Sequence, residues 1–189
     1  MDKVNLVLNE IEKISKEQSL PSIGREKSKI LRNLIKEFKP KKILEIGTLY
    51  GYSAIVMASS YEKATVTTIE ISKKTAEIAK RYIKKAGLFK KIKVIVGDAL
   101  KAIPKLNEKF DMLFIDAIKE EYLDYLKVSE SKLKKGAIVV ADNTGVFKRY
   151  LKNYLDYVRN SGKYKSYSVS VKMEFTDVDD AMEVSEKLF

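Results

Sequence analysis

The chain has 189 residues, of which 45% are hydrophobic, and carries a formal net charge of +11. It contains neither cysteine nor histidine, which excludes disulfides, thiolate nucleophiles and histidine as a base or metal ligand. Any metal ion would have to be bound by oxygen atoms, which favours Mg²⁺ or a similar hard cation. There is no apolar run of membrane-spanning length and no signal peptide, so we expect a cytoplasmic protein with no membrane partner.

The predicted elements begin with two helices and continue as an alternation of strands and helices. Apolar residues at positions 4, 7, 8, 11 and 14 have helical spacing, and a second helix ends before Pro40, so residues 1–38 form the N-terminal helices. The predicted strands are 42–46, 65–69, 92–96, 111–115 and 137–141, and the predicted helices are 52–60, 72–86, 98–106, 119–132 and 145–160. Short, nearly all-apolar strands are typical of a parallel sheet covered by helices on both faces.

The C-terminal part has a different pattern. Residues 164–172 alternate like a strand, and residues 181–188 form a second strand after a short acidic loop. That loop is too short for a crossover helix, so the two strands should pair antiparallel. We therefore predict one domain over residues 1–189, with a core sheet in 42–160 and a strand pair in 164–189. The predicted fold is α/β, with a seven-stranded, mostly parallel sheet that ends in an antiparallel hairpin.

The segment from Ile43 to Ser53 is the most informative part of the chain. A short apolar strand carries Glu45, a loop follows with glycines at positions 47 and 51, and a helix then begins. A strand, a tight loop and a helix N-terminus together form a nucleotide-type binding edge. The G-x-x-x-G spacing differs from the G-x-G-x-x-G of dinucleotide sites, and no Lys-Ser/Thr follows as in a P-loop. The loop therefore lacks the usual pyrophosphate cradle, which disfavours a dehydrogenase.

Each of the five central strands has an acidic residue at or near its carboxyl end. These residues are Glu45, Glu70, Asp98, Asp116 and Asp142. The carboxyl ends of an open α/β sheet converge on one crevice, where ligands bind. Any one of these acids could simply cap a helix, but five together indicate a ligand with cationic or hydroxyl groups. Glu70 could bind both hydroxyls of a ribose, Asp98 the exocyclic amine of an adenine, and Glu45 an amino group.

A second set of polar residues indicates a metal site. Asp116 and the pair Asp142-Asn143 follow two neighbouring strands, and their oxygens suit a six-coordinate Mg²⁺ completed by water and substrate. Lys119 follows Asp116 by one helical turn. A nearby divalent cation would favour its neutral amine, which can act as a base. Taken alone, Lys119 could also be a surface lysine on an amphipathic helix.

Several spaced segments of the chain carry a resemblance to a known family. They are Ile23-Gly24-Arg25-Glu26-Lys27, Leu44-Glu45-Ile46-Gly47, Gly51-Tyr52-Ser53-Ala54, Thr68-Ile69-Glu70-Ile71, the run from Phe110 to Lys119, and Ala141-Asp142-Asn143. With these segments the chain resembles the S-adenosylmethionine-dependent O-methyltransferases of the catechol and caffeoyl-CoA type. The resemblance implies a Rossmann-like class I methyltransferase fold.

The resemblance also implies roles for individual residues. The methyl donor S-adenosylmethionine would be bound by Ile23, Glu45, Gly47, Tyr50, Gly51, Ser53, Glu70, Ile71, Asp98, Ala99 and Asp116. Mg²⁺ or a similar divalent cation would be bound by Asp116, Asp142 and Asn143. Lys119, beside Asp116, would deprotonate the acceptor hydroxyl. A hydroxylated small-molecule acceptor would contact Lys119, Asn143 and Glu174.

The chain departs from the catechol enzymes on the acceptor side. Ala117-Ile118 stands where those enzymes have a bulky His-Trp pair, and their N-terminal aromatic gate corresponds to Ser19 and Pro21 here. The clamp for a flat ring would have to be rebuilt from Phe147, Tyr150 or Phe175.

Two alternatives remain open at the level of sequence. Some relatives of the family methylate a hydroxylated wobble uridine of tRNA. The net charge of +11 and the tyrosine- and lysine-rich segment 147–164 favour tRNA as a partner, although scattered lysines also fit a solvated surface. A non-enzymatic binding protein with a degenerate site is disfavoured, because the metal set and Lys119 are both present.

Family members often dimerise, so a homodimer is a further expectation.

Overall fold

The structure, a computed structural model, describes residues 3–173 and 178–189. Its elements in chain order are α1 (Lys3–Gln18), α2 (Gly24–Phe38), β1 (Lys42–Ile46), α3 (Tyr52–Ser60), β2 (Thr65–Glu70), α4 (Lys73–Lys85), β3 (Ile92–Val96), α5 (Ala99–Ala102), β4 (Phe110–Ile115), α6 (Tyr122–Glu130), β5 (Leu133–Ala141), α7 (Lys152–Asn160), β6 (Tyr164–Lys172) and β7 (Asp179–Lys187). Short 3₁₀ helices lie at Ile103–Lys105 and Lys119–Glu121.

The strands form one seven-stranded sheet in the order β3-β2-β1-β4-β5-β7-β6. The first five strands in this order run parallel, and β7 pairs antiparallel with both β5 and β6. The predicted mostly parallel sheet with an antiparallel C-terminal hairpin is therefore confirmed. The winding direction reverses between β1 and β4, and ligands bind at such a reversal, outside the carboxyl ends of the strands.

Helices cover both faces of the central strands, and successive side chains of each strand point to opposite sides. In β1, Ile43 packs into a cluster with residues of α1 to α4, whereas Leu44 packs into a second cluster with residues of α5 to α7. Both side chains are fully buried. Replacement of Leu44 by alanine would cost about 2–5 kcal/mol of stability through the cavity it leaves. Within the described ranges, no helix is both long and apolar enough to cross a membrane.

Helix boundaries differ from the sequence prediction at three places. The helix predicted over 98–106 ends early, because Pro104 lacks the N–H that an α-helix requires, and a 3₁₀ turn takes over at Ile103–Lys105. The helix predicted over 119–132 begins as the 3₁₀ turn Lys119–Glu121. The helix predicted over 145–160 begins only at Lys152, and residues 145–151 form turns instead.

Candidate active site

A cleft of about 1230 Å³ runs along the carboxyl ends of the parallel strands and is closed on one side by α1 and α2. The sequence-predicted site residues that line it are Ile23, Gly47, Tyr50, Ser53, Glu70, Ile71, Asp98, Ala99, Asp116, Lys119, Asp142 and Asn143. Two further predicted residues, Glu45 and Gly51, do not line the cleft. Glu174 lies outside the described residues. The convergence expected of the strand ends is thus observed for most of the predicted set.

Gly47 is held in a position that only glycine can occupy. Its φ angle is +94°, and a Cβ atom placed there would lie 1.9 Å from the carbonyl oxygen of Asp116. The Gly47 N–H donates to the carbonyl of Ile69 at 3.0 Å. The loop after β1 is therefore pressed directly against the end of β4, which brings the two halves of the cleft together.

Glu70 orders the loop that follows β1. Its Oε2 accepts from the backbone N–H of Thr48 at 3.2 Å and of Leu49 at 3.0 Å, and its Oε1 accepts from the N–H of Ser72 at 3.0 Å. A carboxylate has about four lone-pair sites, so it keeps capacity for a hydroxyl donor from a ligand. The sequence prediction assigned Glu70 only to a ribose. The structure shows that Glu70 also orders the loop after β1 through these hydrogen bonds.

Glu45 is fully buried inside β1. Among the described residues, neither of its carboxyl oxygens has a hydrogen-bond partner. Burial raises the pKa of Glu45 to about 8, with Asp116 and Glu70 adding to the effect and the nearby hydroxyls of Ser53 and Thr68 partly opposing it. Glu45 is therefore mostly protonated at neutral pH in the ligand-free protein.

Lys119 is fixed at the edge of the cleft by three neighbours. Its Nζ donates to Asp116 Oδ1 at 2.9 Å and to the Tyr122 hydroxyl at 2.8 Å, and it lies 5.7 Å from the centre of the Phe147 ring. Tyr122 is fully buried and packs edge-on against Tyr154. Burial, followed by the charge of Asp116, raises the pKa of Tyr122 well above its usual value, so it remains a neutral phenol. The sequence prediction did not include Tyr122.

Asp116 and Asp142 form an electrostatically unfavourable pair at the neighbouring ends of β4 and β5. Burial, followed by the charge of Asp116, raises the pKa of Asp142 above its usual range, although Lys27 partly offsets both effects. Asn143 follows directly in the left-handed conformation, with a φ angle of +61°. A cation placed between the two carboxylates would relieve their repulsion.

A buried lysine supports this pair from behind. Lys27 Nζ lies 2.7 Å from Asp142 Oδ1 and 2.7 Å from Asp180 Oδ2, and all three side chains are at most 5% exposed. Burial alone would lower the pKa of Lys27, but the interactions with the two carboxylates outweigh it and the pKa is raised. The sequence prediction placed no role on either Lys27 or Asp180. Lys27 stands within the first segment of the resemblance, but nothing in that segment indicates its partners.

The candidate metal ligands fit a hard cation. Asp116, Asp142 and Asn143 all line the cleft and offer only oxygen ligands of the kind that Mg²⁺ prefers. In residues 3–173 and 178–189 there is no group of three or more His, Cys, Asp or Glu side chains arranged to hold a metal. The candidate ligand set is two carboxylates and one amide, which would leave coordination positions for water and a substrate.

The acceptor side of the cleft is open and mixed in character. Val146, Phe147, Lys172 and Met173 line it together with Ile118, which is 49% exposed. Of the three aromatic residues considered for a ring clamp, Phe147 lines the cleft. Tyr150 is 61% exposed and does not line it, and Phe175 lies outside the described residues.

A family model described as O-methyltransferase matches residues 3–160. The chain belongs to the O-methyltransferase family. Catechol O-methyltransferase B of Danio rerio is 36% identical over 172 residues, which cover 87% of this chain and 64% of that protein. Catechol O-methyltransferase of Sus scrofa is 34% identical over 169 residues, which cover 85% of this chain and 90% of the relative. This O-methyltransferase thus spans 64% of the length of one relative and nearly the whole of the other.

Solved structures share the architecture of this O-methyltransferase. The O-methyltransferase of Bacillus cereus, solved in complex with SAH, matches 96% of this chain and 90% of its own with a TM-score of 0.84 at 24% identity. TomG of Streptomyces achromogenes, solved in complex with SAM, matches 97% of this chain and 90% of its own with a TM-score of 0.86 at 24% identity. At this level of identity the likeness establishes the fold, and the predicted Rossmann-like methyltransferase fold is confirmed.

Proposed function

We propose that this chain transfers the methyl group of S-adenosylmethionine to a hydroxyl of a catechol-like or other hydroxylated small molecule, with the help of Mg²⁺ or a similar divalent cation. One observation carries the proposal. The Lys119 Nζ atom and the candidate metal ligand Asp116 lie 2.9 Å apart at the mouth of a cleft whose other end is formed by the Gly47 loop and Glu70. The candidate base, the candidate metal ligands and the donor site therefore lie in the same cavity.

The donor would lie along the ends of β1, β2 and β3. Glu70, which keeps about one acceptor site free, would accept from a ribose hydroxyl, and Asp98 would accept from the adenine amine. The presence of SAM or SAH in the Streptomyces and Bacillus structures supports S-adenosylmethionine as the donor. Glu45 is fully buried and does not line the cleft, so the contact with the donor's amino group expected of it is not part of the proposal.

The sulfonium donor is already reactive. The protein therefore has to deprotonate the acceptor hydroxyl and align its oxygen with the methyl group. A phenol has a pKa near 10 and is barely ionised at neutral pH. The cation, when bound by Asp116, Asp142 and Asn143, would supply Lewis acidity that makes the hydroxyl more acidic. Lys119, as the neutral amine, would take the hydroxyl proton while Tyr122 holds its nitrogen in place. The acceptor oxygen then bonds to the methyl carbon, and the carbon–sulfur bond breaks with its electron pair left on sulfur.

The acceptor would contact Lys119, Asn143 and Phe147, which all line the mouth of the cleft. The relatives named for catechol O-methyltransferase support a small hydroxylated aromatic as its class. Two expectations from the sequence receive no support from the relatives described above, namely tRNA as the acceptor and a homodimer as the assembly. We therefore do not propose either.

The proposal is tested by a transfer assay with radiolabelled S-adenosylmethionine. The acceptors are catechol, a dihydroxycinnamate, caffeoyl-CoA, and unmodified or hydroxylated tRNA, each with and without Mg²⁺. Mg²⁺-dependent labelling of a small catechol is the expected result. Labelling of tRNA alone would overturn the acceptor class, and labelling of none of them would overturn the reaction.

A further inference from the structure

We propose that Asp180, paired with Lys27, is a positioning residue that presents Asp142 and Asn143 to the metal. This inference rests on the proposed function, because it assigns a role to residues behind the candidate metal ligands. Asp180 lies near the start of β7, far along the chain from both partners, and its side chain has no exposed surface. It therefore cannot contact the metal or the substrate itself.

Every hydrogen bond and ion pair described for the Asp180 carboxylate is made with a hydrogen-bond donor. Its Oδ2 accepts from Asn143 Nδ2 at 2.9 Å and lies 2.7 Å from Lys27 Nζ. Its Oδ1 accepts from the backbone N–H of Gly145 at 3.1 Å and of Val146 at 3.0 Å. Only a group with two acceptor oxygens satisfies both sets of donors, so an amide of the same size would oppose a donor to a donor on one side.

The contact with Asn143 decides which end of its amide faces the cleft. Because the Nδ2 group donates to Asp180, the carbonyl oxygen is the end left for a ligand in the cleft, and an amide binds a metal only through that oxygen. Lys27 acts in parallel on Asp142. It occupies Oδ1 of that carboxylate and leaves the other oxygen for the cation. Partners of this kind orient metal ligands, and their loss typically weakens metal binding 10- to 100-fold.

The backbone around this cluster is packed too closely to compensate by moving. A Cβ atom at Gly145 would lie 2.8 Å from the backbone nitrogen of Ala181. Thr144 donates both its backbone N–H and its hydroxyl to the Ala181 carbonyl. The turn after β5 is therefore clamped onto the start of β7, and the Asp180 side chain sets the conformation of the turn that carries Asn143.

The test is Mn²⁺ binding measured by electron paramagnetic resonance of the free ion, with Mn²⁺ as the probe and S-adenosylhomocysteine present. The variants are Asp180→Asn and the double variant Lys27→Met/Asp180→Asn. The double variant removes one positive and one negative charge, so its net charge is that of the wild type and a loss of affinity reports on geometry. We expect both to bind Mn²⁺ about 10- to 100-fold more weakly, while S-adenosylhomocysteine binding without metal stays within about twofold of wild type.

Glu183→Gln is the matched control. Glu183 also lies on β7 and is fully buried. It accepts two hydrogen bonds from Arg159 of α7, at 2.7 and 2.6 Å. It faces α7 on the other side of the sheet, so its loss should lower the melting temperature without changing Mn²⁺ affinity. Wild-type affinity in a folded double variant would overturn the inference and leave the proposed function intact. Absence of Mn²⁺ binding by the wild type would overturn the metal step of the proposed function and this inference with it.

Discussion

The Lys119 ammonium group donates to the Tyr122 hydroxyl across 2.8 Å, and Tyr122 is itself fully buried. A flexible lysine side chain loses conformational entropy when it is fixed, and the contacts with Tyr122 and Asp116 offset that cost. The same nitrogen lies 2.9 Å from Asp116 Oδ1. The pair Lys119 and Tyr122 thus joins the candidate base to the packed core of the sheet.

Replacement of Lys119 by methionine should remove the base and keep the bulk of the side chain. We expect kcat for a catechol acceptor to fall about 10²- to 10⁴-fold, the range of general base catalysis, with S-adenosylhomocysteine affinity unchanged by calorimetry. Tyr122→Phe keeps the base but loses its anchor, so kcat should fall by a smaller factor. A Lys119→Met enzyme with kcat close to wild type would rule out Lys119 as the base.

Replacement of Glu70 by glutamine should weaken donor binding. The amide keeps the size of the carboxylate but must turn its NH₂ group toward either the Thr48 and Leu49 N–H groups or the Ser72 N–H, which are all donors. We expect S-adenosylhomocysteine to bind at least about tenfold more weakly in calorimetry, since a charge-assisted hydrogen bond contributes about 1.5–3 kcal/mol. Glu77→Gln on the exposed side of α4 is the control and should bind like wild type.

Alanine at Gly47 should destabilise the protein far more than alanine at Gly87. Both glycines have positive φ angles, +94° and +77°, but a Cβ at Gly47 would overlap the Asp116 carbonyl, whereas one at Gly87 meets nothing within 4 Å. Gly87→Ala should therefore show only the strain of the left-handed conformation, about 1–2 kcal/mol, in urea unfolding. Equal losses in the two variants would show that the Gly47 loop is not pressed against β4.

The stability of the wild type should fall as the pH rises from the pKa of Glu45 in the unfolded chain to its pKa in the folded protein. Burial raises the pKa of folded Glu45 to about 8 from an ordinary 4.5, so the folded state holds more protons between these values. Unfolding free energy therefore decreases with rising pH there, by a few kcal/mol in total since one pKa unit is about 1.36 kcal/mol. Urea unfolding of Glu45→Gln across this range should show a shallower slope, and identical slopes would contradict a buried, protonated Glu45.

Local sequence signals predicted much of the fold and of the site. The Gly47 loop, the acids at the strand ends and the Asp142-Asn143 pair are each contained in a few consecutive residues, and the parallel sheet brings them together by topology alone. That is why most of the site residues predicted from the sequence line the observed cleft.

The rest depends on contacts between distant parts of the chain. Lys27 and Asp180 join the site only because α2 places the Lys27 nitrogen between Asp142 and Asp180. The hydrogen bonds from the Gly145 and Val146 N–H groups to Asp180 likewise join segments that are far apart in the chain. Neither relationship leaves a local pattern of spacing or composition, so sequence periodicity could not reveal it.

Asp116, Asp142 and Asn143 are proposed to make methyl transfer depend on a divalent cation. The most direct measurement is the rate of methyl transfer to a catechol at saturating S-adenosylmethionine, after EDTA treatment and during titration with Mg²⁺. We predict a background rate in EDTA, a saturable rise with Mg²⁺, and no rise for Asp116→Ala, which still binds S-adenosylhomocysteine. A full rate in EDTA, or a normal Mg²⁺ response of Asp116→Ala, would contradict the account.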